Sequence, residues 1–197
     1  MEIGGWNRLL PVTSAPIAMQ LEKWGKKMAS GVMQKLIGTW SFVSWERFGD
    51  GEHFEYPVGQ EVTGLLTYTQ SGFVQVQLMG AGRSLRTYRN PRDAANRALR
   101  GRPLSVEAAA ELSDAYSSFA GYAGRFEVDE PAGLIRHHII TGVDPNMVGT
   151  TLERLFVFPD DGTLELRIKP YRVEDREMTD TLTWSRMSEG AGDVHRP

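Results

Sequence analysis

The stretch GLLTYTQSGFVQVQLM, residues 64–79, decides the fold. Apolar and polar residues alternate on both sides of a short polar break. That is the period of a strand whose two faces meet different surroundings. The break, TQSGF, reads as a three-residue hairpin loop with Gly72 left-handed, which pairs Thr69 with Phe73. The pairing sets Tyr68 opposite Val74 and gathers Leu66, Tyr68, Val74, Val76 and Leu78 on one face. Turn chemistry and apolar patterning select the same register.

The same pattern continues outward in both directions. Eight candidate strands fall at about 36–47, 62–69, 73–80, 121–129, 134–141, 151–158, 163–169 and 178–186. Turn signals separate several of them: QSG at 70–72, EPAG at 130–133 and PDDG at 159–162. One long interruption, about 81–118, contains helical patterns at Pro91–Arg100 and Ser105–Ser117, with Ser105 as N-cap. The expectation is an all-β protein. It is an eight-stranded, or slightly larger, antiparallel barrel with an N-terminal helix and a helical insertion between strands three and four. A barrel of that size can hold one small ligand. Residues 1–34 read as an extension, in which Ile17, Leu21, Trp24 and Met28 mark a short amphipathic helix. Residues 35–187 form the barrel, and 188–197 a disordered tail.

Composition narrows the function classes. With a net charge of −3 and no basic stripe, nucleic acid is not an expected partner. The absence of cysteine excludes disulfides, thiolate catalysis and Cys-type zinc sites, and fits a cytoplasmic protein. No apolar run is long enough to span a bilayer, and the first residues lack the pattern of a secretory signal.

Alternation also assigns side chains to the interior. Pairing Pro159 with Thr163 across PDDG sets Phe156 opposite Leu166 and Arg154 opposite Ile168, so Arg154 points inward. In LIRHHII (134–140), adjacent histidines face opposite sides and cannot share one metal without a bulge. His137 shares the apolar face of Ile135 and Ile139. His138 faces out beside Arg125 or Glu127. The neighbouring strand turns Tyr122, Phe126 and Val128 inward, which requires Asp129 opposite Leu134. The turn EPAG, with its proline, favours Glu130 opposite Leu134 instead. A bulge near Gly133 would reconcile the two. The last strand contributes Leu182 and Trp184. The first contributes Trp40, Phe42 and Ser44, with Glu46 near one mouth.

A set of ordered motifs carries a resemblance. LIGTWSFVSWE (36–46), with its Gly-x-Trp at Gly38 and Trp40, resembles the opening of the bacterial and fungal lipocalin-like domain family. YPVG (56–59), GLLTYTQSGFVQVQLM (64–79), GYAGRFEVDE (121–130), IRHHI (135–139), PNMVGTTLER (145–154) and LTWSRM (182–187) follow in the family's order. The resemblance covers about 36–187. Two departures are an insertion at 81–118 longer than the family's and Met147 where an aromatic residue is usual. The resemblance implies a lipocalin-like barrel, with Arg186 over Trp40 as a structural pair. It implies no reaction, although members are similar to proteins of natural-product biosynthesis.

Two functions are expected for the interior. One is a cofactor-free isomerase, cyclase or dehydratase acting on a small hydrophobic or aromatic metabolite. His137 would be its acid/base and Arg154 its clamp for a developing oxyanion. The other is a binding or carrier protein for a hydrophobic ligand. Tyr68, Tyr122, Phe126, Phe156 and Trp184 would line the ligand site, and Asn146 and Met147 its mouth loop. Glu46 is the alternative partner for Arg154, and a satisfied core residue is the plain role for His137. No metal is expected, because His53 and His195 lie in a polar loop and a tail. No cofactor is expected either, since phosphate-binding and nucleophile motifs are missing. The arginine-rich segment 83–102 reads as a solvated lid or a surface for an anionic partner. A homodimer and, more weakly, a partner chain held by residues 1–34 and 83–118 complete the expectations.

Overall fold

The computed structural model describes residues 31–83, 87 and 90–188. The expected amphipathic helix and nearly all of the tail lie outside these residues. Two compact units divide between Lys35 and Leu36. A short helix, α1, covers Gly31–Leu36. Among its described residues the second unit holds ten strands: β1 (Gly38–Gly49), β2 (Glu52–Glu55), β3 (Val62–Tyr68), β4 (Phe73–Gly80), β5 (Phe119–Asp129), β6 (Leu134–Gly142), β7 (Thr151–Val157), β8 (Thr163–Arg167), β9 (Tyr171–Val173) and β10 (Arg176–Arg186).

Eight of these strands close into an antiparallel barrel. The ring runs β1-β3-β4-β5-β6-β7-β8-β10, and β10 pairs back onto β1. Closure leaves no free edge in the ring. The short strands β2 and β9 pair only with β1 and β10, beside the ring. Neither was among the eight strands read from the sequence. One consequence is a correction: the helical insertion follows the fourth strand rather than the third, because β2 precedes it. The insertion carries α2 (Pro91–Leu99), capped by the Asn90 side chain, and α3 (Val106–Ser117), capped by the Ser105 hydroxyl.

The opening hairpin has the expected register. Tyr68 stands opposite Val74, Thr69 N–H donates to Phe73 O, and Gly72 is left-handed at φ 80°. Phe156 stands opposite Leu166. Asp129 stands opposite Leu134, as burial demanded. The conflict at EPAG is resolved by Gly133 adopting φ 61°, its N–H bonded to Glu130 O, with no bulge at that point. The irregularity in this strand pair lies at Ala123/Gly124. There a Cβ on Gly124 would sit 2.0 Å from the His138 carbonyl oxygen, so the close approach requires glycine.

A second bulge corrects the first strand. Register slips between Phe42 and Ser44, and Val43 turns out to solvent. Beyond it the faces exchange. Trp45 and Arg47 stand opposite the inward Leu182 and Asp180, whereas Ser44 and Glu46 lie opposite Thr183 and Thr181. Ser44 and Glu46 therefore leave the inner face, contrary to the uninterrupted alternation.

One end of the barrel is closed by Trp40. Its indole N–H donates to Leu36 O at 2.9 Å, and the Arg186 guanidinium lies 4.1 Å from its ring centroid. Arg186 also donates to Ile37 O. Phe158 packs against Trp40, and Phe156 against Phe158.

Candidate functional site

Toward the other end of the same strands the interior is not filled. A cavity of about 320 Å³ opens between the barrel wall, the C-terminal end of α3 and the β6–β7 connection. Its wall is mainly apolar: Trp45, Val76, Leu78, Phe119, Ala120, Leu166, Ile168, Leu182 and Trp184. Tyr116, Ser117, Val143, Asp144 and Met147 line it from the insertion and the β6–β7 connection. This is the size and character of a small-molecule site. The Tyr116 hydroxyl donates to Val143 O, joining α3 to the connection across the mouth.

Among the described residues, Arg154 is the one cation in this wall. β7 delivers it because Leu152, Arg154 and Phe156 share a face, and Phe156 is pinned opposite Leu166. Its Nη1 donates to the Glu153 carbonyl at 2.9 Å. Among the described residues no carboxylate pairs with it, Glu46 included. A part-buried guanidinium with spare donors can hold an anionic or strongly polarised oxygen.

His137 lies deeper, behind the wall, and is fully buried. Strand pairing places it opposite Phe126 on one side and Leu152 on the other. Both ring nitrogens are engaged. Nε2 is 2.8 Å from the Tyr68 hydroxyl, and Nδ1 is 2.9 Å from the Tyr122 hydroxyl. Burial, assisted by the Arg154 charge and His138, lowers its pKa to about 3, so the ring is neutral at ordinary pH. Burial likewise raises the Tyr122 pKa to about 12 and that of Tyr68 well above its usual value.

Of the three, only Tyr122 lines the cavity. His137 therefore does not meet a ligand there; it meets the hydroxyl that does. Tyr68 and Phe126 pack together behind it, ring centroids 4.7 Å apart. Phe156 belongs to the cluster at the closed end. Asn146 is exposed, its backbone N–H bound to the Asp144 carboxylate, and it does not line the cavity. The cavity thus brings together Arg154, Tyr122, Trp184 and Met147 from the residues expected at the site. It leaves His137, Tyr68, Phe126, Phe156 and Asn146 outside its wall. His138 is half exposed, bonded through Nδ1 to the Thr151 hydroxyl, with Nε2 4.0 Å from Glu127. Among the described residues no three His, Asp or Glu side chains converge as a metal site would require.

Sequence reasoning missed a buried polar cluster beside the cavity. Asp180 is 1% exposed and accepts from Trp45 Nε1 at 2.9 Å, Arg47 Nε at 2.8 Å, Arg47 Nη2 at 3.0 Å and the Tyr171 hydroxyl at 3.0 Å. Both oxygens are satisfied, which holds the carboxyl below its usual range despite burial. The cluster fixes Trp45 in the cavity wall. A signal was present: period-two alternation back from Trp184 through Leu182 reaches Asp180 on the inner face.

Among the described residues, no helix is long and apolar enough to cross a membrane. No curated protein matches the chain. Solved structures similar to it include a redesigned β-barrel, at 12% identity and a TM-score of 0.32, covering 79% of this chain and 94% of that one. Another is a de novo designed fluorescence-activating β-barrel, at 13% identity and a TM-score of 0.34, covering 78% and 95%. A family model described as a lipocalin-like domain matches residues 37–187, the whole barrel with the adjacent His137 and His138. On that match, the chain belongs to the lipocalin-like domain family.

Proposed function

We propose that the barrel binds one small, largely apolar or aromatic molecule that presents an anionic or strongly polarised oxygen to Arg154. The observation that carries this reading is Arg154 itself, a cation in an apolar wall with no carboxylate partner among the described residues. Burying such a group is costly without a partner, and a ligand oxygen would supply one. At about 30 Å³ per water, the cavity has room for a ligand on the order of ten to fifteen non-hydrogen atoms, such as a substituted pair of fused rings. Calorimetric titration with 2-naphthoate tests the reading. Arg154→Met should weaken binding at least tenfold and Arg154→Lys less, with little change for 2-methylnaphthalene. Equal affinity of wild type and Arg154→Met for 2-naphthoate would refute it.

A second reading is favoured by the Tyr68–His137–Tyr122 chain. A hydroxyl backed by a buried imidazole can hydrogen-bond a carbonyl oxygen, and with Arg154 stabilise the enolate charge that develops there as solvent water at the open mouth takes the α-proton. That is the chemistry of a cofactor-independent isomerase, cyclase or dehydratase. Tyr122 would be the residue touching substrate, and His137 would position it. Enolisation of 2-tetralone in D₂O, followed by proton NMR, should then exceed the buffer rate and fall to it in Tyr122→Phe. A rate equal to buffer in the wild type leaves binding as the function.

A further inference from the structure

The neutral His137 ring has one N–H and one lone pair, and its two nitrogens face two hydroxyls. Two arrangements are open. If Nε2 carries the proton, it donates to Tyr68, and the Tyr68 hydroxyl hydrogen is left without an acceptor. Tyr68 is 1% exposed, and its hydroxyl has no other hydrogen bond among the described residues. That arrangement strands a buried donor, which folded proteins avoid. If Nδ1 carries the proton, Tyr68 donates to Nε2, Nδ1–H donates to the Tyr122 oxygen, and every hydrogen is used but one. The remaining hydrogen belongs to Tyr122, the one member that lines the cavity.

We infer that Tyr68, His137 and Tyr122 form a one-directional hydrogen-bond chain ending in a Tyr122 O–H offered to the cavity, which selects ligands whose oxygen only accepts: a ketone, quinone, enolate or carboxylate rather than an alcohol or amine. This deepens the reading that Arg154 receives a ligand oxygen and rests on it. The neighbouring groups agree. Arg154 has donors only, and its charge bears on the Tyr122 hydroxyl. The Trp184 indole N–H, buried in the same wall, has no hydrogen-bond partner among the described residues. Apart from Tyr122 itself, the wall's side-chain acceptors among the described residues, Asp144, Ser117 and the Tyr116 hydroxyl, come from the insertion and the β6–β7 connection. An alcohol oxygen placed against Tyr122 and Arg154 could accept from both but would leave its own hydrogen unused.

Two measurements test the inference on the full chain. Nitrogen-15 NMR of the histidine side chains identifies His137 as the ring still neutral at about pH 5, given its pKa of about 3. The pattern of couplings to Hδ2 and Hε1 then gives the tautomer. Nδ1–H is expected, and Nε2–H would overturn the chain. Calorimetry with 2-acetylnaphthalene and 1-(2-naphthyl)ethanol, one skeleton carrying a ketone or a hydroxyl, reads the ligand class. The ketone should bind about tenfold tighter, and Tyr122→Phe should erase the preference. Absence of a preference, or of binding by either compound, would overturn the ligand class. Both compounds are neutral, so the result is separable from the 2-naphthoate test of Arg154, and the tautomer is read without any ligand.

Discussion

The Tyr122 hydroxyl lies 2.9 Å from His137 Nδ1 and lines the cavity from which His137 is walled off. The histidine is thus held neutral between two tyrosines in the buried interior. Such a group opposes acid. Its ordinary pKa is 6.5 and its folded value about 3, so between those limits the unfolded chain binds the extra proton. Stability therefore falls as pH drops from about 6.5 towards 3, by roughly 1 kcal/mol per pH unit, and this contribution levels off below. Asp180, with its pKa held low, adds loss in the same direction in acid. The comparison must therefore be between variants. In His137→Gln an amide can still donate to one hydroxyl and accept from the other. Urea unfolding at a series of pH values should show a shallower slope in His137→Gln than in wild type; parallel curves would mean that His137 is not buried neutral.

Arg154 is one of the causes of the depressed His137 pKa, after burial. Removing its charge should let the histidine titrate higher. In Arg154→Met, side-chain NMR should show His137 protonating at a higher pH than in wild type. Stability should change little or rise by about 1 kcal/mol, because the lost cation had no carboxylate partner to strand. A drop in melting temperature of several degrees would point to a structural partner instead.

Much of the barrel was legible because each strand alternates and its turns agree. The register of Tyr68 with Val74 followed from Gly72, and that of Phe156 with Leu166 from PDDG. Inward placement of His137 and Arg154 followed in turn. What escaped was whatever broke the period. The bulge at Val43 moved Trp45 and Arg47 inward and Glu46 out, and a single inserted residue leaves no mark on composition. The strand β2, with all four residues exposed, has no buried face to pattern. Depth along the barrel was also invisible. Alternation says that His137 faces in, but not that Tyr122 stands between it and the cavity.

At the closed end the expected pair is formed, with the Arg186 guanidinium 4.1 Å from the Trp40 ring and bonded to Ile37 O. Lysine in its place keeps charge but loses the planar stack and the fork of donors. Arg186→Lys should cost about 1–2 kcal/mol in urea unfolding, and Arg186→Ala somewhat more. Ligand affinity in the cavity should be nearly unchanged in Arg186→Lys, because Arg186 and Trp40 do not line it.

Asp180 links stability to the cavity through Trp45. Three side chains donate to its two oxygens, among them the indole of Trp45, which forms part of the ligand wall. Asp180→Ala leaves Arg47 Nε, Arg47 Nη2 and the Trp45 N–H without their acceptor, while Glu55 still pairs with Arg47 Nη1. Breaking one side of such a buried pair costs about 3–5 kcal/mol. Asp180→Asn keeps one acceptor oxygen and should cost less. Removing both charges together should recover much of the loss, so Arg47→Met with Asp180→Leu is expected to be more stable than Asp180→Ala alone. With the Asp180→Asn amide oxygen kept by Arg47 Nε and Tyr171 and its nitrogen in place of Oδ2, Trp45 loses its acceptor; its fluorescence anisotropy should fall, and with it affinity for 2-naphthoate, while the His137 tautomer stays as in wild type. Unfolding curves for the three variants and the wild type, read beside the anisotropy, separate loss of stability from loosening of the wall. An unchanged affinity with a loosened Trp45 would show that this indole does not touch the ligand.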